Sequence, residues 1–174
     1  MGSWKIIHKG TEFRKVTLER SNANYLIDLK MVRFDTRWVV PRIVQSLQYN
    51  LKGANVKTLA QKSGAMATIN ANYFDKKGRP LGFLKAAADE VIRKVSRSSL
   101  FTGIFGIKDS LPFIIHRDHF SAEKVDEGLQ AGPLLLTKGA ALHVKRGASK
   151  RSRRSLIGID KEKRLIIAVT EGLL

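Results

Sequence analysis

Cysteine is absent from the sequence, so disulfide bonds and thiolate chemistry are excluded. Only four histidines are present, and without thiolates they leave a structural zinc site short of its usual ligands. No apolar run approaches the roughly 18–20 residues that a membrane-spanning helix needs. The first residues lack the charged and apolar regions of a signal peptide, and Ile6 stands where a myristoylation signal requires Ser or Thr. The sequence therefore predicts no transmembrane segment, and its composition leaves the compartment open.

Acidic residues are scarce relative to basic ones. The chain has 32 Lys and Arg against 15 Asp and Glu, which gives a net charge of +17 at neutral pH. A field of this size attracts polyanions whatever the fold, so nucleic acid, anionic lipid surfaces and anionic cell-wall polymers are candidate partners. The most basic tract, Lys145–Arg154, has no aromatic residue for base stacking, and no nucleic-acid-binding motif occurs. Binding to nucleic acid would therefore be independent of base sequence and steeply dependent on salt.

The length and apolar content are those of a globular protein. The 174 residues are 43% hydrophobic, and a chain of ~150 residues buries about 68–70% of the surface that it exposes when unfolded. Apolar and polar residues alternate between Trp4 and Phe34, which predicts a β-meander. Val56–Lys62 predicts a short helix, because Gly64 follows where a C-terminal cap glycine belongs. We expect an α+β fold: a single mixed domain over residues 1–174, mainly antiparallel or mixed β-sheet with a few helices packed on it.

The second half of the chain carries further helix and strand signals, since apolar runs are separated by short polar or glycine-containing turns. These signals predict a helix at Phe83–Lys94, a hairpin of Leu100–Ile107 with Phe113–His116, a short helix at Ser121–Glu127 capped by its serine, and a closing hairpin of Leu156–Ile159 with Leu165–Val169.

The stretch Ala65–Gly82 is the most informative, because its apolar run contains two asparagines and then breaks at a turn. Ala67–Phe74 predicts a short buried strand, on which side chains alternate between the two faces, so Asn70 and Asn72 would share one face. A buried amide without partners costs roughly 1–3 kcal/mol. Either a ligand rich in hydroxyl or phosphoryl oxygens supplies those partners, or the two asparagines hold a neighbouring loop in place.

Three motifs, in order over the last two-thirds of the chain, are similar to those of one family. Ile69-Asn-Ala-Asn-Tyr-Phe-Asp75, followed by Gly78-Arg-Pro-Leu-Gly82, resembles the Ile-Asn-Gly-Gly-Phe-Phe-Asp…Pro-x-Gly signature of the phosphodiester glycosidase family. Leu129-Gln-Ala-Gly-Pro-Leu-Leu-Leu136 is similar to the family's Gln-x-Gly-Pro-x-Leu segment. Arg154-Ser-Leu-Ile-Gly-Ile-Asp160 is similar to its Arg-Thr-x-x-Gly segment, with Ser155 in place of the threonine.

The resemblance implies a hydrolase that acts at the anomeric carbon of a sugar-1-phosphodiester. Asn70 would bind the sugar or the phosphate, whereas Asn72 stands where the family has glycine and is a substrate-binding candidate on its residue type alone. The remaining candidates are Gly132 and Pro133 at the rim of the site, Arg154 on the phosphate with Arg153 as its register-shifted alternative, and the carboxylates Asp75 and Glu171 as catalytic groups. An aspartate at such a turn can equally well bond its own backbone.

The family's Asn-Leu-Asp-Gly-Gly-Gly-Ser motif, which carries a carboxylate implicated in catalysis, does not occur in these 174 residues. The resemblance therefore implies a C-terminally incomplete domain, with a chain that is inactive or severely impaired alone or is paired with a C-terminal fragment of the same protein. The family also implies an exported, periplasmic or extracellular protein. The sequence contains no metal signature and leaves the need for a divalent cation open.

The basic tract and the histidines suggest two further hypotheses. The tract Lys145–Arg154 is a phosphate clamp or simply a solvated loop, and it supports the alternative of a non-catalytic module that binds a cell-wall polymer or nucleic acid. His116 and His119 flank a turn and could face one pocket, although histidines at this spacing more often have a structural or surface role.

Overall fold

A computed structural model describes residues 2–19, 26–86, 91–142 and 153–171. The chain divides into two compact units, the first formed by Met1–Val40 with Val144–Leu174 and the second by Pro41–His143. Each unit is described by itself below. The assignment of residues 1–174 to a single domain stays a prediction.

Antiparallel strands dominate the described residues. In chain order the strands are β1 (Lys5–His8), β2 (Thr11–Glu19), β3 (Leu26–Phe34), β4 (Leu84–Lys85), β5 (Val91–Arg93), β6 (Gly103–Lys108), β7 (Leu111–His116), β8 (Glu127–Ala131), β9 (Leu136–Thr137), β10 (Ala140–Ala141), β11 (Ser155–Ile159) and β12 (Leu165–Glu171). One α-helix, α1 (Val56–Ser63), and three short 3-10 helices (Ser46–Tyr49, Arg117–His119, Ala122–Lys124) complete the described elements. Because every strand pair is antiparallel, the α+β prediction is confirmed.

The first unit is one five-stranded sheet with the strand order β1-β2-β3-β12-β11. Strands β1, β2 and β3 form the predicted meander, and β11 with β12 form the predicted closing hairpin. The residues that join β2 to β3, 20–25, lie outside the described residues. Strand β12 pairs with β3, which brings Thr11, Phe34 and Leu165 into one buried row across three strands. The two ends of the chain thus complete a single sheet.

The second unit is built on a five-stranded sheet with the order β5-β4-β8-β6-β7. Its core is the cluster of Phe83, Ile104 and Val125, with Phe120 edge-on to Phe83 at a centroid distance of 4.8 Å. The β6–β7 hairpin is confirmed. Gly106 on β6 makes room for a side chain, because a Cβ there would lie 2.3 Å from the ring of Phe113.

Helix α1 also follows the prediction. Asn55 caps its start, with the side-chain Oδ1 accepting a hydrogen bond from the backbone N–H of Thr58 at 2.8 Å. Gly64 ends it in the left-handed conformation at φ 65°, which glycine adopts without the strain of a Cβ. Local sequence signals are sufficient to define both ends of this helix.

The buried strand predicted at Ala67–Phe74 is wrong. Only Phe74 forms an isolated bridge, to Pro80, and Tyr73 and Phe74 are 50% and 70% exposed. The backbone of this segment is paired across its own turn, since Leu81 N–H donates to Tyr73 O and Asp75 N–H to Arg79 O, each at 2.9 Å. Because these groups are paired locally, the segment joins neither sheet.

The helix predicted at Phe83–Lys94 is also wrong. Residues 84–85 and 91–93 are strands of the second sheet, and 87–90 lie outside the described residues. Phe83 is fully buried in the core and Leu84 pairs with Leu129 of β8, so tertiary packing overrides helix propensity here.

The helix predicted at Ser121–Glu127 contracts to the 3-10 turn Ala122–Lys124, and the Ser121 side chain makes no cap bond. Burial of Val125 and Glu127 stops the helix early, because both side chains are drawn into the unit at 2% and 4% exposure.

Candidate functional site

The turn that follows the asparagine motif is organised by Asp75. Its Oδ1 accepts hydrogen bonds from the backbone N–H groups of Lys77 and Arg79 at 2.8 and 2.9 Å, and its Oδ2 accepts one from Arg79 Nε at 2.8 Å. The alternative in which this aspartate bonds its own turn is therefore observed. Asp75 therefore holds the turn that follows Asn70 and Asn72 through three hydrogen bonds.

These contacts keep the Asp75 carboxylate ionised. The backbone N–H of Arg79 and then its guanidinium hold the pKa of Asp75 below its ordinary value; burial opposes them, and the N–H of Lys77 adds a smaller lowering effect. A carboxyl group with a lowered pKa is a poor proton donor at neutral pH. Asp75 is therefore chemically suited to act as a fixed negative charge or as a base, and unsuited to act as a general acid.

Acid should remove the contribution of Asp75 to stability. A folded-state pKa below the unfolded value stabilises the fold above the unfolded pKa, and this stabilisation is lost as the pH falls through the folded pKa. We expect Asp75→Asn, which keeps one acceptor oxygen but no charge, to lower the thermal midpoint at neutral pH. The difference from the original chain should shrink in acid below the lowered folded-state pKa of Asp75, where both side chains are neutral. A difference of equal size at both pH values would contradict this role for the charge.

Tyr73 connects the asparagine motif to the Gly-Pro motif. Its hydroxyl donates a hydrogen bond to the carbonyl oxygen of Gly132 at 3.2 Å, and its ring stacks on Phe101 with centroids 5.0 Å apart and planes inclined by 21°. Asn72 is half-buried and its Nδ2 donates to Tyr73 O at 3.3 Å, whereas Asn70 is exposed. Two of the three predicted motifs therefore meet in the second unit.

Gly132 and Pro133 form a tight turn directly after β8, joined by a cis peptide bond. A Cβ at Gly132 would lie 2.5 Å from the carbonyl oxygen of Leu100 and 3.0 Å from the backbone nitrogen of Thr102. Beyond the proline, Leu134 N–H donates to Thr102 Oγ1 at 2.9 Å. The predicted break in the apolar run is thus a turn packed on residues 100–102, with glycine required by the close approach of backbone.

Arg153, Arg154 and Glu171 belong to the first unit. Arg154 continues the β11–β12 register by one residue, since its N–H donates to Thr170 Oγ1 at 2.8 Å and its carbonyl accepts from Thr170 N–H at 2.9 Å. Both arginine residues are exposed. Residues 145–152 of the predicted phosphate clamp lie outside the described residues. The backbone of Arg154 is therefore fixed by strand pairing at the start of the hairpin.

Glu171 lies at the end of β12, beside charged residues of β2 and β3. Its carboxylate accepts a hydrogen bond from Lys30 Nζ. In the same cluster Lys15 Nζ lies 2.7 Å from the Asp28 carboxylate, which also accepts from the Thr17 hydroxyl at 2.6 Å. The structure thus pairs Glu171 with a lysine on the neighbouring strand.

In the part of the chain that the structure describes, no group of three His, Asp or Glu side chains could hold a metal ion. The rings of His116 and His119 lie 6.3 Å apart, and His116 Nδ1 caps its own turn by accepting from Asp118 N–H at 3.3 Å. Their position is explained by the 3-10 turn that contains them.

Sequence reasoning missed Tyr73 and Phe101 as parts of the site. Both lie in segments that the sequence predicts to be strands, because an aromatic residue in an apolar run usually indicates a buried strand. One sequence signal does point to Tyr73: it lies inside a motif that ends in a turn, and an aromatic side chain beside a turn can contact a segment distant in the sequence.

A family model described as "Phosphodiester glycosidase" matches residues 63–173. The matched range includes the Asp75 turn, the Gly132–Pro133 turn and the strand that follows Arg154. The antiparallel α+β fold and the matched range define a protein of a hydrolase family. The chain belongs to the phosphodiester glycosidase family, as the three motifs indicated. No curated protein matches the chain. Among the described residues, no helix is long and apolar enough to cross a membrane.

Proposed function

We propose that this protein hydrolyses the bond between the anomeric carbon and the phosphate oxygen of a sugar-1-phosphodiester. Water supplies the hydroxyl that remains on the sugar, and a proton goes to the phosphate oxygen, which leaves as a phosphomonoester. The observation that supports this best is the family match over residues 63–173, because it covers an ionised carboxylate, a shaped turn and an arginine in one stretch. We further propose an exported, periplasmic or extracellular location from the same family.

The binding roles follow from the chemistry of the side chains. Asn70 and Asn72 offer amide groups to sugar hydroxyls or phosphate, and the Gly132–Pro133 turn shapes the rim. Arg154 neutralises the phosphate, since a guanidinium group pairs bidentately with phosphate oxygens, and Arg153 is the register-shifted alternative.

Glycoside cleavage generally needs two carboxyl groups, one to protonate the leaving oxygen and one opposite it. Asp75 is proposed as the ionised member that orients the site, acts as a base or binds a cation, because its lowered pKa disfavours proton donation. Glu171 is the second carboxylate of the proposal.

A second candidate function is the non-catalytic binding of anionic polymers, either a cell-wall polymer or nucleic acid. The net charge of +17 favours it. Such binding should collapse between about 50 and 200 mM salt, because it depends on counterion release. A shaped sugar site should lose far less affinity over the same range.

Replacement of Asn70 tests the assignment. We expect Asn70→Ala to weaken binding of the methyl diester of a hexose-1-phosphate by roughly fivefold, because the loss of one neutral hydrogen bond costs about 1 kcal/mol. Because Asn70 is exposed, the thermal midpoint should change little. The matched control is Gln61→Ala, which removes an exposed amide from helix α1 of the same unit and should leave binding unchanged. If Asn70→Ala leaves binding of the diester unchanged, the assignment of Asn70 is wrong.

A further inference from the structure

Gln130 of β8 has a buried side chain that the proposed reaction does not use. We infer that Gln130 is the positioning residue of the site: its amide holds residues 96–101 in place, and through Phe101 it sets Tyr73 against Gly132. This inference rests on the proposed function in so far as Tyr73 and Gly132 line the substrate site.

The Gln130 amide uses its full hydrogen-bonding capacity. Its Nε2 donates to the carbonyl oxygens of Ser96 and Phe101 at 2.8 and 2.6 Å, and its Oε1 accepts from the N–H groups of Ser96 and Phe83 at 2.7 and 3.0 Å. The residue is 1% exposed. Because all four partners are backbone groups, Gln130 determines the path of the chain itself.

The segment that Gln130 holds has little secondary structure of its own. Residues 94–102 form no strand or helix, and Phe101 N–H donates to Ser98 O across a turn at 3.1 Å. Arg117 also reaches this segment, and its guanidinium donates to the carbonyl oxygens of Ser96, Ser98 and Phe101. Gln130 and Arg117 together bond backbone groups of this segment that a strand would pair with a neighbouring strand.

This segment forms one wall beside the two motif turns. The carbonyl of Phe101 is held by Gln130, and its ring stacks on Tyr73. The neighbouring Leu100 and Thr102 pack against Gly132, so the same three residues contact both motifs. A displacement of the Phe101 carbonyl would therefore move Tyr73 relative to the Gly132–Pro133 turn.

The close approach of Gln130 explains why the first motif ends in glycine, at Gly82. A Cβ at Gly82 would lie 2.9 Å from both Cβ and Oε1 of Gln130, and the next residue, Phe83, donates its N–H to that oxygen. The end of the asparagine motif and the start of the Gln-x-Gly-Pro motif therefore meet at this amide.

Gln130→Glu is the test variant, because it keeps the shape and the acceptor oxygen but turns an anionic oxygen toward two carbonyls. At neutral pH we expect loss of the nuclear Overhauser contacts between the Tyr73 and Phe101 rings, which the original chain retains. In acid the protonated carboxyl can donate to one carbonyl, so the contacts should return in part, with a midpoint above the ordinary carboxyl pKa. The original chain should show no such pH-dependent return.

The second readout is binding of the methyl diester of a hexose-1-phosphate. We expect Gln130→Glu to bind the diester roughly tenfold more weakly, which is the effect of losing about one hydrogen bond between the site and the ligand. Val125→Ala, a core deletion that removes none of the Gln130 bonds, is the control for general destabilisation and should keep the original affinity. Gly82→Ala provides a second variant should Gln130→Glu fail to fold, since it displaces Gln130 without changing any hydrogen-bonding group.

Ring contacts that persist in Gln130→Glu or Gly82→Ala would overturn the inference, and so would an equal loss of binding in Val125→Ala. If the original chain does not bind the diester at all, the proposed function fails. The ring contacts, which require no ligand, still decide the role of Gln130 in that case.

Discussion

Replacement of Arg154 by alanine is expected to weaken binding of a sugar-1-phosphodiester roughly tenfold to a hundredfold, since a hydrogen bond to a charged group is worth about 1.5–3 kcal/mol. The exposed guanidinium is carried by a backbone that both Thr170 hydrogen bonds fix, so the substitution should leave the hairpin intact. Calorimetric titration with the diester and with the neutral methyl glycoside measures the effect. Only the diester should be affected.

Two companion variants separate a specific phosphate contact from general charge. Arg154→Lys keeps the charge but loses the bidentate fork, so it should recover part of the affinity. Arg153→Ala removes the same charge one residue earlier and should have a smaller effect. Equal losses in Arg153→Ala and Arg154→Ala would contradict a specific role for Arg154 and favour nonspecific attraction of anions.

Gly132→Ala is expected to destabilise the protein by about 1–3 kcal/mol, the usual cost of forcing extra atoms into a packed region. The new Cβ would lie 2.5 Å from Leu100 O and 3.0 Å from Thr102 N, and neither backbone atom can rotate away as a side chain would. Relief requires movement of residues 100–102, which would separate Tyr73 from Gly132. Urea unfolding measures the stability, and the diester titration should show weakened binding in the same variant.

The matched control is Gly53→Ala in the same unit, where a Cβ meets nothing within 4 Å. It should change the free energy of unfolding by no more than about 0.5 kcal/mol, as surface substitutions usually do. A Gly132→Ala variant as stable as Gly53→Ala would show that the close approach to Leu100 does not constrain this turn.

The parts of the fold that the sequence predicts correctly are those defined by neighbouring residues. Helix α1 has its own cap residue at each end, and the β6–β7 and β11–β12 hairpins each have apolar strands joined by a short polar turn. The errors at residues 67–74 and 83–94 have the opposite cause. There, pairing across a turn and burial of Phe83 outweigh the local strand and helix signals.

The candidate site shows the same division. Asp75 is found from the sequence because its role is local to a turn, and Gly132 is found because Gly-Pro marks a break in an apolar run. Gln130 is not, since its partners Phe101, Ser96 and Phe83 lie 29, 34 and 47 residues away along the chain. Spacing and periodicity carry no signal for a side chain whose partners are distant backbone groups.

A calorimetric titration of the chain with methyl diesters of hexose-1-phosphates tests most directly whether the chain has a sugar-1-phosphodiester site. Dimethyl phosphate and the methyl glycosides serve as probes for each half of the ligand, and every titration is run at about 50 and 200 mM salt. We predict that one diester binds more tightly than either half and loses less than about tenfold affinity at the higher salt. Binding that follows the negative charge alone and disappears at the higher salt, or no binding of any diester, would contradict a phosphodiester glycosidase site.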